Sequence, residues 1–552
     1  MRLVKIAIAN VNSTVGAVRS NVDSMLEMAR AMGAEGITLG CFPEQVVGGY
    51  PPEDLSRRPA FAAASRDMVE SLAAETGDGG PGVLVGCVWP EDGKIYNAMV
   101  LLDQGKVAGV RFKVDLPNYG VFDEKRVFDA GPMPGPINFR GVRIGVPICE
   151  DIWRESVVEC ITETGGEILL VPNGSPFSRG KHDVRMNIAV ARVTESGLPL
   201  CYLNQMGGQD ELVFEGASFV LNADRSLAIQ LPAWEETIAV TDWRRTGMGW
   251  VCAEGERALI EEGDASAYRA CVLGLCDYVA KNGFPGVVLG LSGGVDSALT
   301  AAIAADALGP ERVHALMLPY RYTSDESLSD AGQCAKLLGI RYDIVPIEAP
   351  VAGFLASLGP LFAGTKPGIT EENLQSRVRG SLLMAVSNKF GAMLVTTGNK
   401  SEVSVGYATL YGDMNGGFNP IKDLYKMEVY ALCRLRNAMR PKGCKGPEGI
   451  VIPENILTKA PTAELKPGQK DQDTLPPYEV LDDILTCLVE KELPLAAIIA
   501  RGHPAATVQK IERMLYLAEY KRRQAAPGVK ISEKNFGRDR RYPITNRFRE
   551  TL

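Results

Sequence analysis

Residues 286–309 read GVVLGLSGGVDSALTAAIAADALG, and this stretch decides the fold of the second half of the chain. Val287-Val288-Leu289 is a short apolar, β-branched run of the kind that forms a buried strand. Gly290-Leu291-Ser292-Gly293-Gly294-Val295-Asp296-Ser297 follows it, and an alanine-rich helical stretch ends on Gly309, a stop signal. Strand, glycine loop and helix in that order build an anion site. The glycines let the backbone turn tightly and aim several N–H groups at one point, and the helix N-terminus adds a favourable dipole. Ser292 and Ser297 add hydroxyl donors. No Gly-Lys-Ser/Thr is present, so the loop is not of the Walker type. Asp296 alone would repel a phosphate. A carboxylate there makes sense if it holds Mg2+ that also touches the phosphates; the plain structural alternative is that Asp296 and Ser297 cap the helix.

Working outward, VHALMLP at 313–319 is a second strand, SLSDAGQCAKLLG at 327–339 a helix, and RYDIVPI at 341–347 a third strand. GAMLVTTGNKSE at 391–402 repeats the strand-to-loop pattern. This alternation predicts an α/β domain with a doubly wound parallel sheet. The front half also alternates. VKIAIAN, GITLGCFPE, GVLVGCVW, AMVLLD, VRIGVPICE, EILLVPN and GASFVLN read as strands; 21–32 and 181–196 read as helices. We place the first domain at 1–245, a polar connector at 246–264 and the second domain at 265–552.

The bulk composition limits the functional classes. Of 552 residues, 46% are hydrophobic and 23% charged, as in an ordinary globular chain, and the net charge of −8 speaks against nonspecific binding to nucleic acid or an anionic membrane. The 12 cysteines form no C-x-x-C pair, and several sit in apolar runs, which points to core thiols in a reducing compartment. The opening MRLVKIAIANV alternates like a strand and lacks a signal-peptide core; no apolar run reaches the roughly 18 residues of a membrane span. A cytoplasmic enzyme is expected.

Ser-Gly-Gly-x-Asp-Ser after a buried strand resembles the PP-loop ATP pyrophosphatases, in which the loop binds the pyrophosphate released when ATP adenylates a substrate. Three further segments resemble the NAD synthetase branch. Glu372-Asn373-Leu374-Gln375-Ser376-Arg377-Val378-Arg379 puts Asn373 and Arg377 on one helix face. Thr396-Thr397-Gly398-Asn399-Lys400-Ser401-Glu402 follows a strand, where open α/β sheets bind ligands. Tyr411-Gly412-Asp413 is the third. The resemblance implies ATP contacts from 290–297 and Thr397. It implies deamido-NAD contacts from Asn373, Glu402, Asp413 and Lys521, and Mg2+ held by Asp296 and Glu402. Taken alone, Lys521 reads as a solvated helix lysine. The segment PTAELKPGQKDQDTLPPYEVLD, from 461, reads as a cover over the site.

The first domain has no Gly-x-Ser-x-Gly elbow, and the chain has only three histidines, of which His182 alone lies in this half. Phe42-Pro43-Glu44, Phe112-Lys113-Val114-Asp115 and Val146-Pro147-Ile148-Cys149-Glu150-Asp151 each place a charged or nucleophilic residue after an apolar run. A lysine and an acid near a cysteine can bias it toward thiolate without histidine. The trio resembles the nitrilase superfamily, an α-β-β-α sandwich, and covers 1–245. The resemblance implies Cys149 as nucleophile, Glu44 as general base and Lys113 as oxyanion partner, with Glu124 and Glu150 in support and Tyr119, Ser175 and Lys181 binding glutamine.

Together the halves resemble the glutamine-dependent NAD synthetases. The implied reaction is amidation of deamido-NAD to NAD through an adenylate, with ATP as co-substrate. Ammonia would come from L-glutamine by a sheltered path, and the enzyme would be a homo-oligomer. Other glutamine-fed PP-loop ligases differ in acceptor, and the Asn373 and Glu402 segments speak against them. An RNA-modifying enzyme using Arg538, Arg540, Arg541, Arg547 and Arg549 is disfavoured by Asp539 among them and by the acidic balance. A noncatalytic NAD-binding protein is disfavoured by the intact nucleophile and phosphate loop.

Overall fold

The computed structural model describes residues 3–550. It divides into two compact units that meet in sequence at Glu261 and Glu262. Each is built as a layered α/β domain.

In the first unit a seven-stranded sheet runs, in order of pairing, through Gly249–Cys252, Thr237–Thr246, Leu3–Asn10, Leu39–Cys41, Gly82–Glu91, Lys94–Asp103 and Lys106–Phe112. A six-stranded sheet runs through Leu227–Gln230, Phe219–Leu221, Leu200–Asn204, Ile168–Asn173, Val142–Gly145 and Ile137–Phe139. Side chains alternate between the faces of a strand, so each apolar strand serves two layers. Ile6, Ile8, Leu39, Met99 and Leu101 face Ile144, Ile168, Leu170 and Leu203 between the sheets. Ala7, Ala9, Val83, Val85 and Val100 face the helices Val18–Ala34 and Pro59–Glu75 through Val22, Met25, Val69 and Leu72. On the other side Leu169, Val171 and Tyr202 meet Val157, Ile161, Ala189 and Val193 of Ser156–Glu163 and Lys181–Ser196. The result is the expected α-β-β-α sandwich. Each fully buried aliphatic side chain is worth roughly 1.5–3 kcal/mol, which fixes the strand ends that carry the site.

One stretch differs from its reading as a polar connector. Thr246 pairs with Gly249 across a tight hairpin, and Gly249–Cys252 forms the edge of the first sheet. Trp250 is buried in the inter-sheet core. Trp250 and Cys252 point inward, while Gly249 and Val251 alternate outward.

The second unit carries a four-stranded parallel sheet in the order Arg341–Ile344, Val313–Met317, Val287–Gly290, Met393–Val395. The first strand in sequence therefore lies inside, and the strand order reverses beside it. Ligands of doubly wound sheets bind at that reversal, beyond the carboxyl ends of the strands. The helix Val295–Leu308 is apolar on every side, and every residue of it except Asp296 is buried. A helical C-terminal cluster, including Tyr478–Leu485 and Ala505–Leu517, packs around Leu481, Ile484, Ile498 and Ile511. The arginine-rich tail folds back on this unit. Arg540 is buried, donates to Glu519 (3.0 Å) and stacks over Tyr542; Arg549 lies over Tyr516. These contacts use the arginines internally. No helix among the described residues is long and apolar enough to cross a membrane.

Candidate active sites

In the first unit three strand ends bring Glu44, Lys113 and Cys149 together. Glu44 follows Leu39–Cys41 in a corner over which Gly86 passes. A Cβ at Gly86 would lie 2.3 Å from Gln45 N and 2.6 Å from Pro43 O, so only glycine fits there. Glu44 is fully buried. Its Oε1 accepts from Lys113 Nζ at 2.8 Å and from Asn97 Nδ2 at 2.7 Å, and its Oε2 accepts from Gly174 N at 2.7 Å. Lys113 Nζ also donates to Glu124 at 2.9 Å, and Tyr50 OH donates to the same carboxylate at 2.8 Å. Burial pulls the Lys113 ammonium down, but Glu124 and Glu44 outweigh it and hold it charged. Burial pushes the Glu124 carboxyl up to about 7.

Cys149 opens the tight turn Cys149–Ile152 with φ of +48°, a left-handed conformation that costs a non-glycine residue energy and occurs at functional sites. Asp151 holds this turn. Its Oδ2 accepts from Ile148 N at 2.9 Å, and its Oδ1 accepts from Val114 N at 3.0 Å and Asp115 N at 2.8 Å. One carboxylate thus joins the cysteine turn to the residues after Lys113. Lys113 does bias the thiol toward thiolate, but it is outweighed in the resting site. Burial, then Glu44, push the Cys149 thiol well above its ordinary range, and Lys113 only partly opposes them. Burial and the neighbouring carboxylates therefore favour the neutral thiol in the resting site.

Of the expected glutamine contacts, Tyr119 is exposed and donates its hydroxyl to Glu150, at 2.9 Å to Oε2. Lys181 begins the helix Lys181–Ser196, lies 4.3 Å above the Trp153 ring and acts electrostatically on Glu150. Ser175 is buried next to Gly174, and its hydroxyl accepts from the Arg185 guanidinium at 3.0 Å. Its side chain is engaged in the wall of the site. His182 packs edge-on against Phe219. Asn97, Gln45 and Tyr50 escaped the sequence reading. Asn97 is a buried polar residue in a mostly apolar strand, but the sequence around it does not indicate its partner.

The second unit has a cavity of about 460 Å³ at the sheet's reversal point. It is lined by Gly290, Leu291, Ser292, Gly294, Val295, Asp296, Ser297, Thr397, Asn373, Glu402, Asp413 and Lys521. Of the expected residues only Gly293 stays behind the surface. Its φ is +81°, and a Cβ there would lie 2.4 Å from Ser327 O. Ser297 Oγ accepts from Ser292 N at 3.2 Å, and Ser292 Oγ accepts from Gly294 N at 3.2 Å, so the serines occupy the loop's donors. The side chain of Asp296 does not cap its helix. It accepts from Asn399 Nδ2 at 2.8 Å and from Lys426 Nζ at 2.5 Å. Lys426 Nζ also reaches Glu402 Oε1 at 2.9 Å. Burial raises the Glu402 carboxyl to about 7, with Lys426 opposing.

Asn373 Oδ1 accepts from Thr409 Oγ1 at 3.0 Å, and Asp413 accepts from Ser376 Oγ and Thr409 N, both at 2.8 Å. Lys521 Nζ donates to the carbonyls of Gly406 and Ala408 at 2.7 and 2.6 Å, and burial lowers its pKa. The segment read as a cover does line the cavity. Glu464 accepts from Ser324 and Ser327 hydroxyls at 2.8 and 2.9 Å, and Asp471 accepts from Tyr478 OH at 2.9 Å. Lys426 and Arg379 were missed. Arg379 lines the cavity, donates Nε to Leu318 O at 2.9 Å, and burial lowers its pKa to about 10.

The residues fit magnesium in one specific way. Among the described residues no group of three or more His, Cys, Asp or Glu is arranged to hold a metal by itself. Asp296 and Glu402 offer two hard oxygen donors beside a phosphate loop. Mg2+ characteristically takes one or two carboxylates and completes its shell with phosphates and water.

Residues 5–249 match the family model for carbon–nitrogen hydrolase and 267–525 that for NAD synthase. The chain is 50% identical to the glutamine-dependent NAD(+) synthetase of Rhodobacter capsulatus, covering 99% of each chain. It is 42% identical to the protein of that name from Thermotoga maritima, covering 100% of both. Among solved structures, the glutamine-dependent NAD+ synthetase of Acinetobacter baumannii, in complex with ADP, aligns with a TM-score of 0.78 at 41% identity over 99% of each chain.

Proposed function

From a chain that belongs to the family of glutamine-dependent NAD(+) synthetases, and so amidates deamido-NAD at the expense of ATP with glutamine as nitrogen source, we infer the following division of roles. Residues 1–245 with the hairpin strand Gly249–Cys252 act as glutaminase and 265–552 as synthetase, the remaining stretch from 253 to 264 serving as connector. In the first, Cys149 Sγ attacks the carboxamide carbon of glutamine. Because the thiol is neutral, its proton must leave in the same step, and Glu44 takes it. The Lys113 ammonium faces the oxyanion of the tetrahedral intermediate. Glu44 returns the proton to nitrogen, ammonia departs, and a thioester remains. Glu44 then deprotonates the water that releases glutamate. The observation that carries this reading is the buried Glu44–Lys113–Glu124 chain beside a left-handed cysteine.

In the second unit the nicotinate carboxylate of deamido-NAD attacks the α-phosphorus of ATP, and pyrophosphate leaves into the 290–297 loop. Ammonia, delivered internally, attacks the acyl adenylate and expels AMP. Thr397 contacts ATP; Asn373, Asp413 and Lys521 bind deamido-NAD, with Glu402 at the junction. Asp296 and Glu402 would hold Mg2+, which would supply charge neutralisation for the phosphates. Tyr119, Ser175 and Lys181 bind the amino-acid end of glutamine. The enzyme is a cytoplasmic homo-oligomer; light scattering on the purified chain tests the second point. The decisive assay supplies deamido-NAD, Mg-ATP and glutamine and expects NAD, AMP, pyrophosphate and glutamate in equal amounts. ADP and phosphate as products would overturn the adenylate.

A further inference from the structure

The two carboxylates assigned to magnesium share one ammonium. Lys426 Nζ is 2.5 Å from Asp296 Oδ2 and 2.9 Å from Glu402 Oε1. The lysine side chain is 3% exposed, and each carboxylate is 18% exposed. Lys426 opens the helix Lys426–Ala438, and its base is anchored there. Its N–H donates to Ser401 Oγ at 2.8 Å, and Met427 N donates to Asp482 at 2.9 Å. The tip instead lies at the cavity wall, 5.1 Å from the Tyr478 ring centroid.

Lys400, another buried and ion-paired lysine of this unit, behaves differently. Its ammonium meets Asp423 and Glu490, and also Ser532 Oγ and the Lys534 carbonyl, and it lines no part of the cavity. That is a structural pair, with acceptors no ligand would claim. Both ion partners of Lys426 are candidate metal ligands. Charge counting adds to the contrast. Asp471 acts on Glu402 electrostatically and shares the Tyr478 hydroxyl with it, so a third carboxylate lies next to the pair that Lys426 bridges. A magnesium ion bound to both Asp296 and Glu402 at about 2.0–2.1 Å needs the place that Nζ occupies.

We propose that Lys426 is the resident counter-cation of the magnesium site, holding Asp296 and Glu402 in place and giving way when the metal arrives with the nucleotide. This rests on the assignment of those two carboxylates as metal ligands. Lys426 is then a positioning residue. Its displacement opposes binding of free metal, and its charge is satisfied again only when phosphates enter the cavity. The site loads with metal–nucleotide rather than with metal alone.

The test uses the full chain, free of nucleotide, titrated with Mn2+ and followed by electron paramagnetic resonance. Lys426→Met should bind Mn2+ on the order of tenfold more tightly than the wild type, since the competing charge is gone. It should also melt earlier, and Mn2+ should raise its melting temperature far more than that of the wild type, because binding to the native state alone stabilises it. Lys426→Gln, which keeps a polar tip, serves if the methionine variant does not fold. Unchanged or weaker Mn2+ affinity in the neutral variants would overturn the proposal. Asp296→Asn separates the two levels. If it removes Mn2+ binding while the lysine variants leave affinity unchanged, the ligand assignment stands and the displacement fails. If Mn2+ binds equally well to Asp296→Asn, the ligand assignment itself fails.

Discussion

The two sites solve opposite problems. Around Cys149 the charged groups are buried and bonded to one another: Glu44 takes three donors, and Lys113 sits between two carboxylates. The groups that act on the reacting bond are already in place. Around the phosphate loop the key groups are held by temporary partners. Ser297 occupies loop donors, Glu464 occupies Ser324 and Ser327, and Lys426 pairs with Asp296 and Glu402, the proposed metal ligands. A preorganised site suits a small amide with one reacting centre. A site that exchanges internal partners for ligands suits two large substrates that must arrive together.

The contrast can be broken most severely at the nucleophile. Cys149→Ala should abolish glutamine-supported NAD formation while ammonium salts still support it; retained glutamine activity would remove Cys149 from the reaction. Lys113→Met should lower glutamine hydrolysis by about 10²–10³-fold, the scale of one oxyanion donor. Intact ammonium-supported synthesis would show the chain is folded, with Glu44 and Glu124 sharing a proton in place of the lysine. Asp296→Asn tests the second site. Synthesis with either nitrogen source should fall on the order of a hundredfold and need more Mg2+, while basal glutamine hydrolysis survives. A plain helix cap would predict no change, since asparagine caps as well as aspartate.

Smaller effects sharpen the comparison. With Glu402 raised to about 7 by burial, protonation competes with metal below that pH. Mn2+ affinity should fall by up to about tenfold between pH 7 and 6. The stability contribution has the opposite sign: a carboxyl raised above its ordinary 4.5 stabilises the fold at low pH, and that contribution is lost as pH rises through about 7. A pH-independent Mn2+ titration would contradict the raised carboxyl. Tyr119→Phe removes one hydroxyl bond to Glu150 and should raise the KM for glutamine about fivefold, with little change in kcat.

Much of this was legible before any coordinates. The strand-loop-helix at 286–309 and the three strand-end motifs depend on local patterns, and local patterns survive in sequence. Interactions across strands did not show. Asn97 reaches Glu44 from 53 positions away, and nothing in YNAMVLLD announces a partner. Lys426, in LYKMEVY, reads like any amphipathic helix lysine. The hairpin at 246–252 was missed because its glycines and its short four-residue strand, with only Trp250 and Cys252 pointing inward, carry little periodic signal. The bond from Arg185 to the Ser175 hydroxyl, set by tertiary packing, did not show either.

The carboxylate of Asp151 has a mechanical consequence. By accepting N–H groups from Ile148, Val114 and Asp115, it clamps two segments more than thirty residues apart in the chain into one rigid piece. The nucleophile and the oxyanion partner then cannot drift independently. A push on either segment, from a ligand or from a distant substitution, reaches both as a single lever, and the spacing between sulfur and ammonium is preserved while the pair shifts as a body.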